Sequence, residues 1–158
     1  MSYVIGVDGG TESIRAFVFD LDGRPLASVA TPYKTDFPNP SWAEQNPEDW
    51  WAAMGQSVKG AVARAGVKTT DIIGLSVDTT CCSVVALDKQ GVPLRPCMIW
   101  MDVRSSQEAD EIAATKDAYL RVNGGGAGPV SAEWMIPKSL WMKRHQPEMF
   151  ARAARVGE

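Results

Sequence analysis

The chain has 158 residues, of which 45% are hydrophobic and 22% charged, and it carries a formal net charge of -3. These values are typical of a globular domain with a sizeable core and exclude a disordered chain. An acidic balance without a basic run argues against a nucleic-acid partner, and no apolar stretch approaches the roughly 20 residues that span a bilayer, so we expect neither nucleic acid nor membrane as a partner.

Alternating apolar and polar residues between turn signals predict three strands at the start of the chain. The first begins at Tyr3 and leads into Gly9-Gly10, and the second runs from Ile14 to Phe19. A turn at residues 21–24 then leads into Pro25 to Thr31. The pattern indicates a three-stranded antiparallel meander over residues 3–31.

A proline-containing segment, residues 32–47, is predicted to be an irregular surface loop that ends at a helix. Asn46 is placed as the N-cap and Pro47 as the first helical residue, and the helix is predicted to reach Gly66. Its apolar residues recur at helical spacing, and they are Trp50, Trp51, Met54, Val58 and Val62.

The rest of the chain contains further predicted strands and helices. Residues 71–78 are nearly all apolar, which is typical of a buried parallel strand. Two more strands are predicted at residues 83–88 and 96–101. Helices are predicted over residues 105–115 and 131–145, with a break at Gly124-Gly125-Gly126 between them.

The order of these elements indicates the fold class. Three antiparallel strands are followed by a crossover helix and by a strand that lies parallel to the first. We therefore predict an α/β fold with a mixed sheet, in which three antiparallel strands precede parallel strands and helices. This is the ribonuclease-H-like layout that actin-like ATPases and sugar kinases use.

An acidic residue, Asp8, ends the first predicted strand and runs directly into Gly9, Gly10 and Thr11. Glycines let the backbone approach a polyphosphate closely, and the Asp8 carboxylate can hold a hydrated Mg²⁺. The spacing fits neither the P-loop nor the dinucleotide fingerprint. A tight turn between two strands explains the same residues, so both interpretations stay open at this point.

A second carboxylate, Asp78, ends the strand that is predicted to lie parallel to the first. The carboxyl ends of parallel strands meet at one edge of a sheet, where open α/β sheets bind their ligands. We therefore expect Asp8 and Asp78 to lie on neighbouring strands at this edge.

The cysteine and histidine content limits other chemistry. Cys81, Cys82 and Cys97 do not make a disulfide framework, and we expect inert small side chains rather than nucleophiles. His145 is the sole histidine of the sequence, which excludes a histidine-based metal site and a Ser-His-Asp triad. Because the first residues also lack the pattern of a secretory signal, we expect a cytoplasmic location.

Four motifs follow one another along the chain: Gly6 to Thr11 with Ser13 and Arg15, Gly74 to Ser83, Ile99 to Arg104, and Ser131 to Trp141. Together they resemble the FGGY family of carbohydrate kinases, which transfer the γ-phosphate of ATP to a hydroxyl of a sugar or polyol. The first is similar to that family's phosphate motif and the second to its sugar-facing turn. Asp78-Thr79-Thr80 and the fourth motif are similar to the ribulokinase-like branch.

The resemblance implies ATP and Mg²⁺ as cofactors and a sugar as substrate, with a pentulose such as ribulose expected. The residues expected at the ATP phosphates are Asp8, Gly9, Gly10, Thr11, Ser13 and Arg15, with Asp8 reaching the metal of Mg-ATP. The residues expected at the sugar are Asp78, Thr79, Thr80, Cys81, Cys82, Trp100, Asp102, Arg104, Glu133 and Lys138.

Some of these sugar-facing positions also have a physical reason of their own. Asp102 and Arg104 are two residues apart, so on extended backbone their side chains would point the same way, with Trp100 on the same face. A surface ion pair is the alternative for Asp102 and Arg104. A buried tryptophan that packs against the sheet is the alternative for Trp100. For Lys138, the alternative to a sugar contact is a solvated helix lysine.

The resemblance also bears on domain organisation. In the family, an aspartate in a glycine-rich loop is the catalytic base and a second lobe binds the adenosine, and neither is found before Glu158. Residues 1–158 are therefore expected to form an incomplete N-terminal sugar-binding domain, whose partner is the remaining C-terminal part of the same protein. This chain alone should catalyse little transfer, and its incomplete sheet should cause self-association. A homodimer is a further candidate assembly.

Two other classes of protein share parts of this pattern. Asp20-Leu21-Asp22-Gly23 resembles the nucleophile motif of haloacid-dehalogenase-type phosphatases, although Arg24-Pro25 follows it and a hairpin turn explains it more simply. An ATP-binding module of the actin and chaperone type would carry the phosphate motif without phosphorylating a sugar. The motif from Trp100 to Arg104, together with the segment from Glu133 to Lys138, favours the kinase over this module.

Overall fold

The computed structural model describes residues 1–122 and 130–158 and contains both strands and helices. In chain order the elements are β1 (Tyr3–Gly9), β2 (Ser13–Asp20), β3 (Pro25–Pro32), β4 (Glu44–Gln45), α1 (Pro47–Ala65), β5 (Ile72–Thr79), β6 (Val85–Leu87), β7 (Cys97–Met98), α2 (Ser106–Ala114), α3 (Met135–His145), α4 (Pro147–Arg152) and β8 (Arg155–Gly157). Single-turn 3₁₀ helices cover Thr69–Asp71 and Ala118–Arg121. The predicted break at Gly124-Gly125-Gly126 lies outside the described residues. Within the described ranges, no helix has the length and apolar character needed to cross a membrane.

The chain divides into two compact units, the first of which comprises Met1–Thr35 and Asn46–Thr80. Its four-stranded sheet has the order β3-β2-β1-β5. The first three strands are antiparallel neighbours, and β5 pairs in parallel with β1. The predicted meander and the predicted parallel strand are both confirmed.

Helix α1 packs on one face of this sheet. Asn46 caps the helix by accepting a hydrogen bond from the Glu48 backbone N–H at 3.2 Å, and Gly66 ends it in the left-handed region with a φ of 66°. The sheet approaches the helix closely at Gly60, where a Cβ would lie 3.2 Å from the Val29 methyl groups. The buried core of the unit consists of Ile5, Val7, Ile14, Ala16, Val18, Ala53, Ala61 and Val62.

The apolar stripe of α1 differs from the prediction at one position. Trp50, Met54 and Val58 pack against the core, whereas Trp51 is 74% exposed. Residues four apart lie on one helix face, and the residue after Trp50 is turned about 100° away from it. Trp51 therefore belongs to the outer face of the helix.

Strand β5 is more exposed than its composition predicts. Leu75 and Val77 are 47% and 49% exposed, so the prediction of a buried strand is wrong for this chain. Burial of an apolar strand requires neighbours on both edges and cover on its faces. Here β5 is the last strand of the sheet order, and α1 packs chiefly against β2 and β3.

The second unit comprises Asp36–Gln45 and Cys81–Glu158 and is built on short strand pairs. Strand β4 pairs antiparallel with β7, and β6 pairs antiparallel with β8. The predicted loop at residues 32–47 thus contains a strand, and the strand predicted at 96–101 is reduced to two residues by a turn from Ile99 to Asp102. The core of the unit consists of Val84, Ala86, Met98, Trp141 and Met142.

Helix α3 begins four residues later than predicted. The Ser131 hydroxyl accepts a hydrogen bond from the Glu133 backbone N–H at 3.2 Å, and the Ser131 carbonyl accepts one from the Trp134 N–H, which makes a turn. A helix starting at Ser131 would place Pro137 in its interior, where proline removes a hydrogen bond and clashes with the preceding turn. A start at Met135 keeps Pro137 within the first turn, whose N–H groups have no helical acceptor.

Candidate functional site

A row of three charged residues crosses the carboxyl end of the first unit's sheet. In the strand register, Asp8 of β1 is the partner of Asp78 on β5 and of Arg15 on β2. Partners across neighbouring strands point to the same face, and this face is opposite the one that carries Ile5 and Val7 beneath α1. The expectation that Asp8 and Asp78 lie on neighbouring strands is confirmed.

Asp8 and Arg15 form an ion pair that stays accessible to solvent. The Arg15 Nη1 donates to Asp8 Oδ2 at 2.9 Å, and the two side chains are 51% and 47% exposed. An ion pair this exposed contributes at most about 1 kcal/mol to stability, so either partner can exchange it for a ligand at low cost. Asp78 is exposed as well, and its Oδ1 accepts from the Thr79 N–H at 3.1 Å.

The glycines between β1 and β2 serve the packing of the turn. A Cβ on Gly9, at the end of β1, would lie 3.1 Å from Thr79 Cγ2 on the neighbouring strand, so glycine allows a closer approach of the two strands than a larger residue would. The Gly10 N–H donates to the Ser13 carbonyl at 3.1 Å and closes the turn around Thr11. The tight-turn interpretation of these residues is therefore correct, and it is compatible with phosphate binding at the same turn.

Tyr33 is a member of this region that the sequence did not single out. Its hydroxyl donates to the Gly10 carbonyl, and its backbone N–H donates to the Glu12 carbonyl at 3.1 Å. Burial, with a smaller contribution from the Asp8 charge, raises the pKa of Tyr33. A single aromatic residue more than 20 positions away carries no local pattern that would have identified it.

The expected sugar-facing turn extends over the end of the first unit and the start of the second. Thr79 ends β5, and the Thr80 N–H donates to the Gly9 carbonyl at 3.4 Å within the first unit. Cys81 and Cys82 begin the next stretch of the second unit, with their Sγ atoms 3.7 Å apart. Burial is the main cause that raises the pKa of Cys82 to about 11 and of Cys97 to about 12, which agrees with the expectation of inert thiols.

Asp102 and Arg104 form a buried ion pair. Their side chains are 0% and 1% exposed, and Arg104 Nη2 lies 2.5 Å from Asp102 Oδ2. Asp102 also accepts from the Ala43 N–H at 2.7 Å. The predicted strand does not reach these residues, because β7 ends at Met98. The alternative of a surface pair is wrong because both side chains are buried, and the Arg104 N–H also donates to Asp102 Oδ1 at 3.2 Å. Their assignment as sugar contacts stays a prediction.

Further residues that the sequence did not indicate complete this buried cluster. Glu44 Oε1 lies 2.7 Å from Arg104 Nη2 and 2.5 Å from Arg95 Nη2. The Arg104 guanidinium stacks on the Trp42 ring at 3.6 Å from its centroid. Burial lowers the pKa of Arg95. The negative charges of the two carboxylates balance the positive charges of the two guanidiniums. The cluster therefore holds its neighbours in place and has no net charge with which to attract a ligand.

Lys138 is fully buried at 0% exposure, which excludes the solvated helix lysine. Its Nζ donates to the carbonyls of Cys82 at 2.8 Å, Met98 at 3.3 Å and Ile99 at 2.7 Å. An ammonium has three donors, so these carbonyls use them all. Burial lowers the pKa of Lys138, and the Asp102 charge opposes that shift. The lysine holds the Cys82 turn against the end of β7.

Trp100 and Glu133 complete the predicted sugar-facing set. Trp100 is 38% exposed and lies in the turn that follows β7, so the argument that placed it by strand alternation does not apply. Glu133 is partly buried in the turn that precedes α3. Beside this turn, a cavity of about 590 Å³ is lined by Cys82, Ile112, Leu120, Val130, Trp134, Met135, Ile136, Pro137 and Glu158. Cys82 is the member of the predicted set that lines it.

The described residues contain no group of three or more histidine, cysteine or acidic side chains that could hold a metal ion. A magnesium ion bound mainly by nucleotide phosphates needs only one or two carboxylates and keeps several waters. Asp8, half-exposed at the sheet edge, fits that requirement.

The phosphatase motif has a structural explanation of its own. Asp20 Oδ1 accepts from the backbone N–H groups of Asp22 at 3.0 Å and Arg24 at 2.9 Å. The carboxylate therefore organises the turn between β2 and β3, as an aspartate commonly does. This supports the hairpin-turn explanation of the motif.

Comparison with known proteins gives consistent matches. A ribulokinase of Geobacillus thermodenitrificans is 33% identical to this chain, over 94% of the chain and 30% of the relative. A xylulose kinase of Staphylococcus epidermidis is 29% identical, over 94% of the chain and 29% of the relative. The chain thus spans about 30% of the length of these relatives.

The crystal structure of a xylulose kinase from Rhodospirillum rubrum superposes with a TM-score of 0.86 at 29% identity, over 98% of this chain and 31% of that one. This likeness confirms the expected α/β fold of sugar kinases and actin-like ATPases. The family model described as the N-terminal domain of the FGGY family of carbohydrate kinases matches residues 3–158. The chain therefore belongs to the FGGY family of carbohydrate kinases.

Proposed function

We propose that the whole protein transfers the γ-phosphate of Mg-ATP to a hydroxyl of a pentulose such as ribulose. Residues 1–158 contribute phosphate-facing and sugar-facing groups to this reaction, as an N-terminal sugar-binding domain that the remaining part of the same protein completes. The observation that carries the proposal is the row of Asp78, Asp8 and Arg15 at the carboxyl edge of a mixed sheet in a chain of this family. That edge is where open α/β sheets bind ligands.

Each member of the row has a role that its chemistry supports. Asp8 would orient the metal of Mg-ATP, which when bound supplies positive charge to the transferring phosphate. Arg15 would leave Asp8 and pair with phosphate oxygens, because the planar guanidinium can donate to two phosphate oxygens at once. The Gly10 turn would present backbone N–H groups and the Thr11 hydroxyl to the same phosphates.

The sugar side rests on the turn at residues 79–82 and the segment after β7. Lys138 and the Asp102 cluster hold these segments from within the second unit, where the Lys138 ammonium and the Asp102 carboxylate are occupied by protein partners. Arg104 Nη1 and two nitrogens of Arg95 are buried without a hydrogen-bond partner among the described residues. Groups that are this buried position a site through their neighbours rather than by touching a ligand. Trp100 and Glu133 remain partly exposed and are the better candidates for direct contact.

A pentulose is favoured because relatives named ribulokinase and xylulose kinase both match this chain at about 30% identity. Both names denote kinases of five-carbon ketoses. A single inverted hydroxyl changes the free energy of binding by only about 1–3 kcal/mol, so the two names together indicate the pentulose class. A cytoplasmic location is part of the same proposal, since ATP is the phosphate donor.

Thermal unfolding of the whole protein without nucleotide tests the sugar part of the proposal. We expect a pentulose to raise the Tm, because a ligand that binds only the folded state stabilises it by mass action. Ribulose and xylulose should be compared with glycerol and with an aldose of the same size. An ATPase that uses no sugar would show the same Tm with every compound, and this result would overturn the proposal.

A further inference from the structure

The two adjacent thiols of the second unit point to the same side of the chain. On extended backbone, neighbouring side chains point in opposite directions. Cys82 instead has a φ of 61°, in the left-handed region, and the Sγ atoms of Cys81 and Cys82 approach to 3.7 Å. Cys81 is exposed, and Cys82 lines the cavity of about 590 Å³ described above.

The backbone of Cys82 is held on both sides. Its carbonyl accepts from the buried Lys138 Nζ at 2.8 Å, and its N–H donates to Glu158 Oε2 at 3.2 Å. These bonds fix a residue whose left-handed conformation is costly for a side chain with a Cβ. The pair of thiols is therefore organised by the fold and not merely adjacent in sequence.

A direct disulfide fits this pair poorly. Consecutive Cα atoms lie about 3.8 Å apart, whereas disulfide-linked Cα atoms usually lie about 4.4–6.8 Å apart. A third atom placed between the two sulfurs removes that constraint, because neither sulfur then has to approach the other to bonding distance. The 3.7 Å separation suits one bridging atom that bonds to both sulfurs.

We propose that Cys81 and Cys82 form a dithiol site that binds a trivalent arsenical by chelation. With phenylarsine oxide, two arsenic–sulfur bonds form and the bonds of arsenic to its oxide oxygen break. The two thiol protons leave with that oxygen as water, and arsenic keeps its oxidation state, so no oxidant or reductant is consumed. The site does not depend on the proposed kinase reaction.

The raised pKa of Cys82 does not prevent this condensation. Burial raises the pKa of Cys82 to about 11, so little thiolate is present near pH 7 for alkylation or oxidation. The condensation releases both thiol protons in the water that it forms, so its equilibrium does not require a thiolate. Cys97 is 0% exposed and cannot act as a competing partner in the folded chain.

The test is titration of the reduced 158-residue chain with phenylarsine oxide at pH 7. We expect one phenylarsenic group per chain by mass spectrometry and loss of two of the three free thiols. Cys81→Ser or Cys82→Ser should raise the dissociation constant at least a hundredfold, because the second bond is no longer intramolecular. Circular dichroism of each variant verifies that it is folded.

A comparison of folded and unfolded chain isolates the contribution of the structure. The same titration in denaturing guanidinium should give a dissociation constant about tenfold higher, because the thiols are no longer held together before binding. Equal dissociation constants in the two conditions would overturn the proposal. An adduct that consumes one thiol, an arsenic that links two chains, or full binding by Cys81→Ser would overturn it as well.

Discussion

Asp8 and Asp78 are register partners on the parallel strands β1 and β5, and Arg15 balances only one of the two charges. Neighbouring strands lie about 4.8 Å apart, and two like charges at that separation repel by about 1 kcal/mol in water and by more near a protein surface. A cation at this edge would remove that repulsion. This repulsion is a physical reason in favour of the proposed binding of Mg-ATP where the two strands end.

Asp8→Asn is expected to lower kcat of the whole protein about a hundredfold or more, because an amide neither neutralises the metal nor orients it. Steady-state rates with Mg-ATP and a pentulose measure this effect. Asp22→Asn, in the exposed turn between β2 and β3, is the matched control and should leave the rate unchanged. Equal rates for Asp8→Asn and the parent protein would remove Asp8 from the phosphate site.

Asp102→Asn is expected to destabilise the chain by about 3 kcal/mol, since it leaves the Arg104 guanidinium buried with less compensation. Denaturant unfolding measures the loss, and Asp110→Asn on the exposed face of α2 serves as the control. If Asp102 instead contacts the sugar directly, the variant would keep its stability and lose only sugar affinity. That result would show that Asp102, although buried, serves the sugar site rather than the stability of the fold.

Lys138→Met is expected to cost about 3 kcal/mol, because three carbonyls lose a charged donor inside the second unit. Methionine has a similar length, so the loss reports on the ammonium rather than on packing. Lys143→Met, on the exposed side of the same helix, controls for loss of charge. A free energy of unfolding that is equal in both variants would mean that the buried ammonium contributes nothing.

The local elements of the first unit were predictable from sequence because each has a local cause. Asn46 and Pro47 define the start of α1, and apolar alternation defines β1 and β2. Asp8 and Asp78 could be placed on neighbouring strands because the order of elements implied a parallel pair. Local pattern and topology were sufficient there.

The second unit was less predictable because its organisation depends on contacts between distant residues. Glu44 pairs with Arg104, which lies 60 positions further along the chain, and Lys138 donates to the carbonyl of Cys82, which lies 56 positions earlier. No spacing rule connects such residues, so the sequence did not indicate that Asp102, Arg104 and Lys138 are buried against protein partners. Their expected contacts with the sugar stay a prediction. Conversely, the composition of β5 predicted burial that its position at the sheet edge does not provide.

The exposed apolar residues of β5 lead to a prediction about association. The 158-residue chain should self-associate through this edge strand, whose unpaired backbone and exposed leucine favour pairing with another chain. Leu75→Lys should reduce the associated fraction in light scattering, whereas Leu21→Lys, at a turn where the leucine is more exposed still, should not. A chain that is monomeric at high concentration without any substitution would contradict this account.

The most direct test of the proposed activity is phosphate transfer by the whole protein. Incubation with Mg-ATP and ribulose or xylulose, followed by mass spectrometry of the small molecules, distinguishes transfer from hydrolysis. The account predicts a sugar phosphate that forms in equal amount to ADP and disappears when the sugar is omitted. ADP and inorganic phosphate without any phosphorylated sugar, across pentuloses and polyols, would contradict it.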